Sequence, residues 1–243
     1  MKIEDGYLIF NNPDEVNKIY YKKINGHNFV NLVGLNKFAK VGDTLLEMFG
    51  FIKNEVDPKY LLRGDFAEKI VKKCYERDGF KCTTYDKKAC RYDNFKDNQY
   101  FSGLIDIDLI ENETLIEVKS KSLKDYDKII KYPPESEIYQ GLMYGFLKNY
   151  TYIIMEWVFF DKETEEEIFL GKTPTTLGKL KKFKRTYMIN QDEMKQLLNK
   201  AFIVVRNFVN ERRIPLNLIS ESSLEKLGLL KKDGDIDISD LTF

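Results

Sequence analysis

The chain predicts an α/β fold, a central mixed β-sheet flanked by helices with a helical elaboration at the N-terminus. Three observations lead there. Apolar residues recur at helical spacing from about Asn28 to Asp78, with a break near Asn54 to Lys59. Aromatic and β-branched runs then follow between polar breaks, "FKCTTYD", "ACRYDNF", "YFSGLIDIDLI" and "TLIEVKS", and read as an antiparallel meander. The helical segment "ESEIYQGLMYGFLK" separates these from the apolar run "YTYIIMEWVFF", so a helix crosses between strands and the later strand can lie parallel to an earlier one.

Taken in order, "GYLIF" reads as a short edge strand. "RGDFAEKIVKKCYERDG" (Arg63 to Gly79) reads as a helix with Phe66, Ala67, Ile70, Val71 and Cys74 on one apolar side, Glu68 close to that side, and a glycine at its C-terminal end. Pro133 and Pro134 precede the crossing helix. "FKRTYMI" is a further strand, "QDEMKQLLNKAFIVVRNFVNERR" a long helix, and "KKDGDIDISDLTF" a polar, acidic tail. Residues 1–230 read as a single domain whose motif-bearing core spans about 60–190, and 231–243 as the tail.

Composition narrows the function classes. Lys and Arg number 39 against 39 Asp and Glu, so a polyanion must be met by a local basic patch rather than by the field of the whole chain. The best candidate is "GKLKKFKR", with Lys179, Lys181, Lys182, Lys184 and Arg185 interleaved with Phe183. Such a run is also what a solvated turn looks like. Cys74, Cys82 and Cys90 lack C-x-x-C spacing and the only histidine is His27, which argues against zinc or a disulfide framework. The start carries no signal-peptide pattern and no apolar run spans a bilayer, so a soluble, cytoplasmic protein is expected.

The chemistry concentrates in "GLIDIDLIENETLIEVKSKS", Gly103 to Ser122. It places Asp106 and Asp108 on one strand and Glu117 with Lys119, two positions on and so on the same face, on the next. Hard divalent cations such as Mg²⁺ or Mn²⁺ take carboxylate oxygens, and a neighbouring ammonium can orient a water or offset charge on phosphate. The bland alternative is a solvated hairpin whose acids and lysine pair across strands.

These residues resemble the PD-(D/E)XK nucleases, in the RecB-like and YqaJ-like branch that includes phage recombination nucleases of the lambda-exonuclease type. Four pieces stand in that family's order over Gly64 to Tyr144: G-x-x-x-E (Gly64 to Glu68), G-x-x-D (Gly103 to Asp106), E-x-K (Glu117 to Lys119) and Q-x-x-x-Y (Gln140 to Tyr144). The resemblance implies a restriction-endonuclease-like core and a metal-dependent nuclease acting on DNA, more in the manner of an exonuclease at DNA ends than of a restriction-type endonuclease. It implies Mg²⁺ or Mn²⁺ ligands at Glu68, Asp106, Glu117 and the Val118 carbonyl, a catalytic Lys119, and an active-site helix pair at Gln140 and Tyr144. Asp108 shares the strand face of Asp106, and the G-x-x-D register favours Asp106. The serine that often opens the first helix of phage-type members is replaced by His27 and Asn28. No cysteine follows Cys90, so the iron-sulfur cluster of some relatives is not expected. A strand-annealing partner is implied in turn, and the tail ending in Phe243 resembles the tip by which single-strand-binding proteins recruit partners. The rivals are a restriction-type endonuclease and a non-catalytic DNA-binding module on the same fold.

Overall fold

The computed structural model describes residues 1–11, 23–53, 56–174 and 180–230. Lys179 and the acidic tail, 231–243, lie outside the described residues. The chain divides into two compact units, one made of Met1–Asn54, Gln99–Phe101 and Lys195–Phe243, the other of Glu55–Asn98 and Ser102–Met194.

The first unit holds a three-stranded antiparallel sheet, β1 (Lys2–Glu4), β2 (Tyr7–Ile9) and β7 (Arg213–Pro215), in the order β1-β2-β7. "GYLIF" is therefore the middle strand and not an edge. The reason is local: Asp5 and Gly6 both take positive φ, 48° and 79°, which closes a tight hairpin with Lys2–Glu4 on one side, while β7 pairs on the other. Helices α1 (Gly26–Leu32), α2 (Val41–Met48), most of α7 (Gln191–Glu211) and α8 (Glu221–Lys226) complete the unit. Phe10, Phe49 and Phe208 meet ring to ring in its core.

The second unit carries the sheet that positions the site. Its strands are β3 (Ile107–Leu109), β4 (Thr114–Ser122), β5 (Tyr152–Phe160) and β6 (Lys181–Met188), in the order β3-β4-β5-β6. β4 and β5 are parallel over nine residue pairs, Thr114↔Tyr152 to Ser122↔Phe160, and the outer pairs are antiparallel. This is the mixed sheet expected of a helix crossover. The crossover contains α4 (Tyr126–Lys131) and α5 (Glu135–Leu147), and α6 (Lys162–Phe169) follows β5.

Helix α3 (Pro58–Arg77) starts earlier than Arg63 because Asp57 caps it by accepting from Lys59 N–H and Pro58 suits its first turn. It ends as expected, with Gly79 at φ +91° just beyond it. Ala67, Val71 and Tyr75 bury against Ile116, Val118, Val158 and Phe160 on one face of the sheet, with Phe66 and Ile70 packed alongside.

Of the antiparallel meander only the last pairing, β3 with β4, is formed. Residues 80–102 are turns and irregular chain, with only isolated bridges such as Thr83↔Asp108. Asp86 accepts from Lys88 and Ala89 N–H, Asp93 from Phe95 N–H and Asn94 from Ile105 N–H, while Arg91 and Tyr92 take φ of 53° and 58°. Short polar side chains that bond nearby backbone replace the ladder a strand would need.

Candidate active site

β4 brings Glu117 and Lys119 to one face of the sheet, and α5 lies across that face. The helix sits close because it carries glycine there: a Cβ on Gly141 would lie 2.8 Å from Met155 Sδ and 3.4 Å from Glu117 Cβ, and one on Gly145 would lie 2.5 Å from Ile153 Cγ2. Gln140 and Tyr144 share this side of the helix, one turn apart. Lys119 Nζ is 2.8 Å from Glu117 Oε1 and 3.1 Å from Gln140 Oε1, and Gln140 Nε2 donates to the Tyr144 hydroxyl at 3.4 Å. A polar chain thus runs from strand to helix.

Gly103 and Tyr144 explain one another. A Cβ on Gly103 would stand 2.2 Å from Tyr144 Cε1, so the glycine makes room for the ring, which also stacks on Phe95 with centroids 5.9 Å apart. Gly64 has no such neighbour, since a Cβ there meets nothing within 4 Å.

Asp106 stands just before β3, where the chain bends, and its Oδ2 accepts from Val118 N–H at 2.8 Å. The bend separates the two strand acids. Asp108 is fully buried and accepts from the Tyr85 hydroxyl at 2.5 Å, the Tyr150 hydroxyl at 2.8 Å and Lys148 Nζ at 2.9 Å. Its charge is spent on holding residues 80–102 and the end of α5 to the sheet. The two acids do not share one site.

Glu68 reaches the same region from α3. Burial and the neighbouring Asp106 charge push its carboxyl up to about 7, against the pull of Lys87. Lys87 Nζ lies 3.4 Å from Glu68 Oε1 and 2.5 Å from Asp65 Oδ1. Burial and Asp106 likewise raise Glu117 to about 8, in spite of Lys119, and burial raises Asp106 although Lys119 and the Val118 N–H work against it. Burial lowers the Lys119 ammonium, but Glu117 and Asp106 outweigh it and hold its pKa above the usual lysine value. Burial, with the charge of Glu117, raises the Tyr144 hydroxyl, which stays a neutral phenol.

The donor set fits a divalent cation. Asp106 raises both Glu68 and Glu117, and the pull of Lys119 and Lys87 does not offset the burial of these carboxylates. Glu117 Oε2 is buried and accepts no hydrogen bond, a costly state that a hard cation would relieve. Among the described residues, no three His, Cys, Asp or Glu side chains are gathered into a ready-made metal cage, so the fit rests on this orphaned oxygen and the charge imbalance.

The basic run divides. Opposite residues of an antiparallel pair share a face, and Arg185 is paired with Met155 and Phe183 with Trp157. Lys181 and Arg185 therefore lie on the Glu117 face, Lys181 over the Tyr126 ring at 4.2 Å and Arg185 donating to Ile130 O at 3.2 Å. Lys182 and Lys184 lie on the other face, Lys182 at 3.2 Å from Glu156 and Lys184 over Tyr75 at 5.5 Å. These four do not form one patch.

Several neighbours went unread in the sequence. Lys121 and Glu137 were accessible by the same arithmetic as the motif residues, two positions beyond Lys119 and three before Gln140. Lys87 was not, because it sits in the polar break between two runs that read as strands.

No family model matches the chain. It is 30% identical over 91 residues to the uncharacterized protein MG373 of Mycoplasma genitalium, a match to 37% of this chain and 32% of that protein. It is 25% identical over 130 residues to the MG373 homolog of Mycoplasma pneumoniae, covering 49% and 46%. The chain thus matches less than half the length of these curated relatives. Among solved structures it superimposes on a phage-related exonuclease from Haemophilus somnus with a TM-score of 0.58 at 12% identity, over 80% of this chain and 96% of that one. The alkaline exonuclease LHK-Exo of Laribacter hongkongensis gives 0.53 at 12% identity, over 82% and 95%, and its complex with dAMP the same score over 82% and 92%. The mixed sheet and its flanking helices are the fold that these exonucleases share with this chain.

Proposed function

We propose that the protein is a metal-dependent nuclease that hydrolyses DNA phosphodiester bonds, acting from DNA ends. The single observation that carries this is the buried, unsatisfied Glu117 Oε2 beside Asp106 and Lys119, on a fold shared with exonucleases. Asp106, Glu117, the Val118 carbonyl and Glu68 would hold Mg²⁺ or Mn²⁺, which would polarise the phosphate and lower the pKa of a water.

The chain's own groups do the rest. In the metal-free chain Glu117 and Asp106 hold the pKa of Lys119 high. Held by Glu117 and Gln140, its Nζ serves as a donor and a positive charge toward water and phosphoryl oxygen. Gln140 accepts from Lys119 and so fixes where that charge points. Tyr144, a neutral phenol bonded to Gln140, holds the helix side of the chain in register. A role in phage-type recombination, with a strand-annealing partner, is the biological setting that this chemistry suits.

The test is a cleavage assay on end-labelled linear duplex and on closed circular duplex with Mg²⁺, Mn²⁺ or EDTA. Loss of linear DNA alone, abolished by EDTA, is the expected result. Cleavage of the circle would assign an endonuclease, and no cleavage of either would reject the enzyme.

A further inference from the structure

Lys121 extends the face of β4 that carries Glu117 and Lys119. The lysines are two positions apart, so they leave the strand about 6.6 Å apart along it. Lys121 Nζ is ion-paired to Glu137 Oε1 in the first turn of α5, and Trp157 Nε1 donates to Glu137 Oε2 at 2.7 Å. The positive end of a helix favours an acid at this position, but it does not call for an indole bond from β5. Trp157 is fully buried and stacked on Phe183 with centroids 5.5 Å apart, so it fixes Glu137 in place. The side chains of Lys121 and Glu137 are still 26% and 17% exposed, within reach of a ligand.

We propose that Lys121 binds the backbone phosphate adjacent to the one held at Lys119, and that Glu137, anchored by Trp157, parks its ammonium when no strand is bound. The proposal rests on the nuclease reading for the presence of a strand at Lys119. The separation at which the two lysines leave the strand, about 6.6 Å, is about one backbone step of a nucleic-acid strand. Partly exposed ion pairs are worth little, so exchanging a carboxylate for a phosphate costs little. Lys119 already has Glu117 and Gln140 as partners, so Lys121 is not needed to position it.

The experiment is fluorescence anisotropy with a labelled duplex in EDTA over a series of salt concentrations, together with Trp157 emission. Lys121→Ala should weaken binding about fivefold at 0.1 M salt and lower the salt slope by about one released ion. Glu137→Gln should tighten binding about twofold or more, because it removes the competing anion. DNA should shift Trp157 emission in the parent chain and leave it unchanged in Lys121→Ala. An unchanged slope in Lys121→Ala, or weakening by Glu137→Gln alongside Lys121→Ala, would overturn the proposal and leave a structural ion pair. Turnover of linear duplex with Mg²⁺ is read separately. Cleavage by the parent with an unchanged slope fails only the Lys121 assignment, and the predicted binding shifts without cleavage fail only the nuclease reading.

Discussion

Asp106 and Asp108 show how differently like-charged residues are used two positions apart. Lys119 is held between Glu117 and Gln140 and kept protonated, so Lys119→Ala removes a preorganised charge. Turnover should fall about a hundredfold or more with DNA affinity little changed, as read from kcat and from binding in EDTA. Asp106 accepts from the Val118 N–H, whereas Asp108 accepts from two phenols and a lysine. Asp106→Asn should abolish Mn²⁺ binding in calorimetry and leave the unfolding midpoint near that of the parent. Asp108→Asn should leave Mn²⁺ binding in the folded fraction and cost about 3 kcal/mol of stability, the scale of disrupting a buried ion pair. The reverse ranking would exchange their roles. The sequence alone left these acids on one strand face, because alternation assumes a continuous strand. The bend at Asp106 is what breaks it.

At the scale of elements, α5 and β4 were readable and the segment before β3 was not. A regular helix or strand follows from periodicity over many residues, and the apolar alternation of β4 and the run of β5 survive into nine-residue strands. Residues 80–102 carry strand-forming aromatics, yet the Asp86 and Asp93 side chains bond the local backbone and win. The closeness of α5 to the sheet depends on Gly141 and Gly145, which periodicity does not single out. Gly145→Ala would put a methyl 2.5 Å from Ile153 Cγ2 and 2.6 Å from Ile189 Cδ1. The expected cost is about 1–3 kcal/mol in denaturant unfolding, with a matching loss of the Gln140 and Lys119 geometry and hence of turnover. A neutral effect on both would mean that the helix does not need this approach.

At the scale of the whole molecule, a net charge of zero conceals a local excess of negative charge around Glu68, Asp106 and Glu117. Glu68 and Glu117 have folded pKa values of about 7 and about 8, above their ordinary carboxylate value. Groups raised in the folded state contribute stability that is fully present below the unfolded pKa and lost as pH rises through the folded one. The metal-free chain should therefore lose stability between about pH 5 and pH 8, and Mn²⁺ should raise the melting temperature more at pH 8 than at pH 6, where protons compete for the same oxygens. Scanning fluorimetry with and without Mn²⁺ checks this, and an equal rise at both pH values would show that these carboxylates do not titrate in that window. Among the described residues no helix is long and apolar enough to cross a membrane, in keeping with the polar composition. By itself the sequence determined the mixed sheet, its crossover helix and the shared face of Glu117 and Lys119, because each rests on local periodicity or on spacing within one or two elements, while Gln140 and Tyr144 were singled out only by the family resemblance. Only the tertiary structure decided that Asp108 is turned to Tyr85, Tyr150 and Lys148, that Lys87 faces Glu68, and that Trp157 fixes the Glu137 that pairs with Lys121. Each of these depends on residues distant in sequence meeting across packed elements, and periodicity along a chain carries no information about such meetings.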